Sequence, residues 1–184
     1  MKNPSRHIIM GTNRKKAAVD SLEYLVDIDV EHHEVHSSNF YTMSDRFSGV
    51  QIATPKQWLV RTPNTDMRFH CKMNLQSTSA SFAQCYENPF VSNSGTLLTA
   101  FNNDRNSLDT TTMQFFKDPV ISGVMSGVLL QSFDLAAGLD KKIGGQARRN
   151  TELILKQNED YLVRVVAGTN KTSISFVVEG YEVT

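Results

Sequence analysis

The sequence predicts an all-β fold, an antiparallel β-sandwich that follows a separate N-terminal segment. Apolar and polar residues alternate in many short runs, with the period of two that is typical of strands with one buried face. Prolines fall between these runs or at their starts, where no ladder hydrogen bond is lost, at Pro55, Pro63, Pro89 and Pro119. No alternation of strands with helices is present, so a doubly wound nucleotide-binding fold is not expected.

The first 27 residues are predicted to form an N-terminal arm, because their charge differs from that of the rest of the chain. The formal net charge is zero, yet residues 1–16 hold five of the 19 basic side chains and none of the 19 acidic ones. The remainder therefore carries 14 basic against 19 acidic side chains. Such an arm could bind nucleic acid, a membrane or an acidic protein surface. Its basic residues are Lys2, Arg6, Arg14, Lys15 and Lys16.

Within the arm, residues 14–26 are predicted to form a short helix, because their apolar residues fall roughly on one helical face. Beyond it, Ile28 and Val30 alternate with acidic residues, which predicts the first strand of a β-sandwich domain over residues 28–184. Further strands are predicted at residues 39–43, 47–53, 58–62, 68–75, 79–86, 96–101, 111–116, 124–133, 152–156, 161–166 and 173–183.

Roughly ten to twelve short strands separated by polar turns indicate an antiparallel sandwich or barrel, and a chain of this length suits a jelly roll. Gly168 and Asn170 supply turn chemistry between the last two runs, which predicts a closing hairpin. A second hairpin centred on Thr78 would place Cys71 and Cys85 directly opposite each other, as two thiols on a core face.

The densest group of potential metal ligands lies at His32, Glu34 and His36. On a strand these side chains would share one face, where zinc could bind if a fourth ligand came from elsewhere. The zinc-protease pattern needs a glutamate directly after the first histidine of a helix, and His33 occupies that position. The favoured interpretation is that these histidines pack or line a subunit contact, so no metal site and no cofactor are assigned.

No catalytic signature is found elsewhere in the sequence. Asp27, Asp29 and Glu31 could present oxygens to calcium, but the spacing of a calcium loop is missing. There is no nucleophile elbow, phosphate-binding glycine loop, dinucleotide fingerprint or clustered cysteine motif. We therefore expect that the chain is not an enzyme.

Two long loops are predicted, at residues 102–109 and 135–150, and loops at the ends of a sandwich often bind partners. The second loop carries a basic set that could bind an anion or pair with an acidic neighbour, at Lys141, Lys142, Arg148 and Arg149. The tryptophan and the five tyrosines are scattered, mostly in alternating runs, which favours core packing over stacking on sugars.

The composition, 40% hydrophobic and 21% charged, is typical of a soluble globular protein. No apolar run approaches the roughly 20 residues of a membrane helix. The N-terminus lacks the apolar stretch of a secretory signal, and two cysteines are too few for a secreted disulfide scaffold. We expect a protein that folds in a reducing cytosol and does not enter a membrane.

Several stretches resemble small virion structural proteins of tailed bacteriophages. The closing segment carries LKQN at residues 155–158, YLVRV at 161–165, a turn with glycine and asparagine, and a last strand that ends in EGYE at 179–182. Residues 32–41, TPNT at 62–65 and NNDRNS at 102–107 are similar to the same group. The resemblance spans roughly residues 30–184 and contains no catalytic signature.

The resemblance implies a non-enzymatic capsid decoration, or cement, protein that is jelly-roll-like and homotrimeric. Such a protein lies on the outer surface of the head and bridges neighbouring major capsid subunits. Its partners would be the major capsid protein and its own copies, without nucleic acid or membrane, and it would be made in the host cytoplasm. The first 27 residues lie outside the resemblance, so a capsid-binding arm is inferred from charge alone. The alternative is a receptor- or glycan-binding fibre or tail-associated virion protein.

Overall fold

The structure is a computed structural model that describes residues 30–122, 127–135 and 152–183, together with the backbone of four short strands outside these ranges. Three of those strands, β1 (Ile8–Ile9), β2 (Lys16–Val19) and β3 (Leu25–Asp27), form an antiparallel sheet of their own. The predicted helix over residues 14–26 is therefore wrong, since β2 and β3 occupy much of it. Helical propensity over so short a window is a weak signal, and strand pairing overrides it here.

Residues predicted to continue the first strand instead form the helix α1 (Val30–His36). Glu31 lies in its first turn and His36 in its last, which suits the helix dipole. The helix ends where the Ser37 amide donates to the His33 carbonyl at 3.0 Å. The alternation that predicted a strand covers only five residues, which is too few to distinguish the two-residue period of a strand from the 3.6-residue period of a helix. In the described part of the chain no helix is long and apolar enough to cross a membrane.

The rest of the described chain is built from strands, and most of the predicted ones are found within a few residues of their predicted ends. The runs predicted at 39–43 and 47–53 are one continuous strand, and the run at 96–101 is two. The strands are β4 (Phe40–Val50), β5 (Pro55–Arg61), β6 (Arg68–Ser77), β7 (Ser81–Glu87), β8 (Val91–Asn93), β9 (Thr96–Leu98), β10 (Phe101–Asn102), β11 (Gln114–Lys117), β12 (Val120–Ile121), β13 (Val128–Leu135), β14 (Gln146–Arg148), β15 (Leu153–Ile154), β16 (Asp160–Ala167) and β17 (Thr172–Val183).

Two large antiparallel sheets confirm the predicted β-sandwich. The first sheet has the order β10-β4-β17-β6-β14, with β15 also paired to β6, and the second has the order β13-β7-β16-β5-β11-β9. Strands β12 and β8 form a separate pair. If β4, β5, β6, β7, β13, β14, β16 and β17 are counted from one to eight, the sheets read 1-8-3-6 and 5-4-7-2. This order is that of a jelly roll.

The core lies between the two sheets and is centred on Trp58, which is fully buried. Its ring lies 4.8 Å from that of Phe47 and 5.1 Å from that of Phe176, so aromatic contacts join β5 to both β4 and β17. The indole Nε1 donates to Asp45 Oδ2 at 2.8 Å, which satisfies its one polar atom. Burial of each such ring contributes roughly 1.5–3 kcal/mol.

Both predicted hairpins are wrong, because the strands on either side of each turn lie in different sheets. Cys71 pairs with Gly180 in the first sheet, whereas Cys85 pairs with Val163 in the second. The two cysteines are buried thiols and are not cross-strand neighbours. Strands β16 and β17 are likewise in opposite sheets. A three- or four-residue connection can close a hairpin or arch from one sheet to the other, and its length does not decide between them.

The two arches contact each other at one end of the sandwich. The Thr78 amide donates to the Ser173 carbonyl at 3.0 Å, and the Ser79 and Thr172 hydroxyl oxygens lie 2.6 Å apart. Inside the first arch the hydroxyls of Ser77 and Ser81 are 2.7 Å apart and buried. These hydrogen bonds satisfy amide, carbonyl and hydroxyl groups that the two turns place at the end of the core, where the chain crosses from one sheet to the other.

Candidate functional site

Three consecutive apolar side chains are exposed on β13. Val128, Leu129 and Leu130 have relative exposures of 60%, 49% and 40%. Leu130 is left out of the pairing with β7, because the register shifts between Leu129 and Gln131. A β-bulge changes the direction in which a side chain points relative to strict alternation. Here it leaves Leu130 exposed next to Val128 and Leu129.

Strand β13 is also the end strand of the second sheet. Among the residues that the structure describes, no strand pairs with its outer edge. Proteins usually protect such edges with lysine, proline or several charges, whereas β13 has Asp134 as its one charged residue. We call the outer edge of β13 together with Val128, Leu129 and Leu130 the β13 surface.

Beside the β13 surface lies a cavity of about 210 Å³ between the two sheets. Gln131, Phe133 and Asp134 of β13 line one side of it. Its opposite wall is apolar and includes Leu75 of β6 and Phe176 of β17. The arrangement can accept an inserted apolar side chain, with polar groups from β13 at its rim.

Most of the predicted basic contact residues lie outside the described residues, namely Lys2, Arg6, Arg14, Lys15, Lys141, Lys142 and Arg149. Lys16 and Arg148 lie on β2 and β14, whose side chains are not described. On the backbone, Arg148 pairs with Asn74 in β6, at the end of the first sheet. Contact with a partner through these residues stays a prediction.

The shared strand face that was weighed for zinc does not form, because His32, Glu34 and His36 lie on a helix and not on a strand. The helix brings His32 and His36 together, with their Nε2 atoms 3.1 Å apart. Glu34 lies two residues from each and instead accepts from Asn39 Nδ2 at 3.4 Å. In the described ranges no group of three His, Cys, Asp or Glu side chains could hold a metal ion. Of the calcium candidates, Glu31 is paired with Lys72, and the other two side chains are not described.

The described tryptophan and tyrosines pack into the core as predicted. Trp58 and Tyr161 are at most 2% exposed, and Tyr41, Tyr86 and Tyr181 are also buried. Tyr24 lies outside the described residues. The exposed rings are instead phenylalanines, at positions 82, 90 and 101.

Sequence reasoning missed a buried polar cluster beneath α1. His70 alternates with the apolar residues of β6 and so falls on its polar face in the sequence, yet this ring is buried and stacks on Tyr181 with 4.9 Å between centroids. His70 Nδ1 lies 3.4 Å from Glu152 Oε2, without the alignment of a hydrogen bond. Burial, more than the hydrogen bond to Glu152, raises the pKa of Tyr181 above its ordinary value. His70 could be recognised as buried from its pairing with Tyr181 across β6 and β17. That pairing is known only once the sheet order is known, so the sequence alone could not show it.

The fold and this surface define a jelly-roll β-sandwich with an exposed apolar edge strand. Comparison with protein-family models finds no match, and searches of curated proteins and of solved structures also find none.

Proposed function

We propose that this chain is a phage capsid decoration protein, a homotrimer that binds the outer surface of the head and stabilises contacts between major capsid subunits. The observation that carries the proposal is the β13 surface, an exposed apolar edge strand on a jelly roll. Viral capsid domains are among the proteins that use this fold, and the support from that source is an analogy of fold. Large exposed apolar patches on edges commonly mark contacts with another chain.

The partner assigned to the β13 surface is a second copy of the chain. A cyclic trimer needs a heterologous contact, in which this edge of one subunit meets a different surface of the next. An edge strand supplies main-chain donors and acceptors for such a contact, and Val128, Leu129 and Leu130 supply apolar area. Low charge along β13 lowers the desolvation penalty of burying it.

The basic arm is assigned to the capsid. Residues 1–16 concentrate positive charge, so they complement an acidic shell surface across subunit junctions. A protein that binds only the assembled shell shifts the equilibrium toward that shell in proportion to its affinity and occupancy. Enzymatic chemistry has no part in this role.

Imaging of purified virions tests the location. Decoration predicts density for this chain on the outer capsid surface, at junctions between major capsid subunits. A bare capsid surface, with the chain located in the tail, would overturn the proposal.

The mass in solution tests the assembly contact. The unmodified chain is expected to have the mass of a trimer, and the double variant Val128→Lys with Leu130→Lys the mass of a monomer, because charged side chains oppose burial. The matched control is Leu108→Lys, a residue that is 96% exposed and lies away from β13, and it should stay trimeric. A monomeric unmodified chain, or a trimeric double variant, contradicts the assigned contact.

The alternative, a glycan-binding fibre protein, has less support from the described residues. The jelly roll also serves lectins, but lectin sites usually expose Trp or Tyr rings, and the described ones are buried. Measurable binding to a glycan array, lost on substitution of Phe90 or Phe101 by Ala, would favour this alternative.

A further inference from the structure

We infer that His32 and His36 form a two-histidine clip on α1 that binds one divalent transition-metal ion of the zinc class. Their rings are 4.5 Å apart at the centroids, with an angle of 70° between the ring planes. Two nitrogens that ligate one zinc ion tetrahedrally, at about 2.0–2.1 Å each, lie about 3.3 Å apart. The observed 3.1 Å between the Nε2 atoms is close to that spacing.

Helical geometry produces this convergence. Residues four apart lie one above the other on the same helix face, so both imidazoles point their Nε2 atoms at the same volume. Both side chains are exposed, so an ion can enter from solvent and keep water in its remaining coordination positions. Imidazole nitrogen suits zinc, nickel and copper, whereas calcium and magnesium require oxygen ligands.

The helix that carries the clip is attached to the first sheet, so the two ligands are held in position. Glu31 pairs with Lys72 of β6, and the Glu182 amide of β17 donates to the Asn39 carbonyl just beyond α1 at 3.1 Å. Because both histidines converge only when residues 32–36 are helical, metal binding also favours the helical state.

The local charge also favours a cation. The Asp104 carboxylate accepts from the Ser38 hydroxyl at 3.2 Å, at the end of the helix. The Asn106 amide chiefly lowers the pKa of Asp104, and His36 also lowers it, which places this carboxylate within electrostatic range of the clip. It adds negative charge near the ion and is not assigned as a ligand.

The competing structure is a hydrogen bond between the two rings. It requires a proton on one Nε2 and a lone pair on the other, whereas zinc needs a lone pair on both, so the ring that donates changes to the tautomer with its proton on Nδ1 when the ion binds. Zinc binding therefore uses a contact that the protein already makes and does not require the rings to leave the helix face.

Calorimetric titration of the full chain with zinc tests the clip. One saturable site is expected per chain, with affinity reduced at least about tenfold in His32→Gln and in His36→Gln. The matched control is His33→Gln on the same helix, because the His33 ring lies 3.2 Å from Glu34 Oε1 and contributes no ligand. This control should bind as the unmodified chain does, and magnesium should not compete.

Copper line broadening in NMR spectra of the unmodified protein gives a second measurement that depends on no variant. Amide signals should broaden first around residues 32–38. Absence of a saturable zinc site, unchanged affinity in His32→Gln and His36→Gln, or copper broadening centred elsewhere would overturn the clip. None of these outcomes bears on the capsid role, so the two proposals fail separately.

Discussion

At the scale of single residues, Glu182 joins the last strand to the loop that precedes β11. It is 4% exposed, and its Oε1 accepts from the Thr111 hydroxyl at 2.6 Å, the Thr112 amide at 2.8 Å and the Thr112 hydroxyl at 2.9 Å. A carboxylate with several donors on one oxygen forms charge-assisted hydrogen bonds, and its removal leaves those donors without an acceptor.

Glu182→Ala is therefore expected to lower the free energy of unfolding by about 3 kcal/mol. Glu182→Gln should lose much less, because the amide oxygen can occupy the position of Oε1. Urea denaturation measures both. Glu179→Ala on the same strand is the control, since Glu179 accepts one long hydrogen bond at 3.5 Å from Asn74. Equal losses in the Glu182 and Glu179 alanine variants would contradict the role assigned to Glu182.

Buried phenols set the upper pH limit of the fold. Burial raises the pKa of Tyr41, Tyr161 and Tyr181 above the ordinary 10.0. The unfolded chain loses these protons first, so it binds fewer protons than the folded chain above about pH 10. Stability should thus be unaffected by these groups below pH 10 and fall as the pH rises further.

Alkaline titration followed by circular dichroism and by tyrosinate absorbance measures this limit. Tyrosinate should form together with unfolding for the three buried phenols. Tyr161→Phe should make the alkaline loss of stability less steep, although it removes the hydrogen bond of the hydroxyl with Glu87. Full ionisation of the tyrosines in a protein that remains folded would refute the prediction.

At the scale of elements, β6 and β17 approach each other closely at Gly180. A Cβ at this position would overlap the His70 carbonyl oxygen, and it would lie only 2.9 Å from Cα and Cβ of Cys71. The clash is mostly with backbone, so the two central strands would have to separate.

Gly180→Ala should lower the free energy of unfolding by about 3 kcal/mol, the upper end for overpacking. Gly49→Ala is the control, because no atom lies within 4 Å of its Cβ and its φ of +68° alone costs about 1 kcal/mol. Thermal or urea unfolding compares them. If Gly180→Ala were the milder change, the close approach would be refuted.

The sequence was sufficient to place strands such as β6 and β17, because a period of two over eight or more residues is unambiguous. It was not sufficient to assign them to sheets. Ser77 and Ser81 flank the first arch with buried hydroxyls, a sign that the turn passes under the core, but hairpin turns use the same residue types. His32 and His36 were named as potential metal ligands, but alternation over five residues predicted a strand in place of α1, so their convergence on one helix face was not expected.

At the scale of the whole molecule, the sheets divide the chain near residue 30. Strands β1–β3 pair with one another and not with either large sheet, and the described buried core begins at Phe40. The charge divides the chain after Lys16, whereas the small sheet continues to Asp27, so its last two strands lie almost wholly beyond the basic segment.

Deletion of residues 1–16 is expected to change the free energy of unfolding of the sandwich by less than about 1 kcal/mol. Binding to purified shells should weaken strongly, and the difference from the full chain should shrink as salt is added, because screening removes the arm's contribution. A full-length variant with the five basic residues replaced by Gln is the matched control and should bind like the deletion. Undiminished binding by either would exclude the arm as the capsid contact.

The place of β17 also determines when the domain can fold during synthesis. This strand pairs with β4 on one side and β6 on the other, so the strand of the sandwich that is latest in chain order lies at the centre of the first sheet. Until residues 172–183 have left the ribosome, β4 and β6 have no strand between them and the edges that face each other stay unpaired. Folding is therefore completed only after nearly the whole domain has been translated, and contacts of such large separation along the chain make it slow.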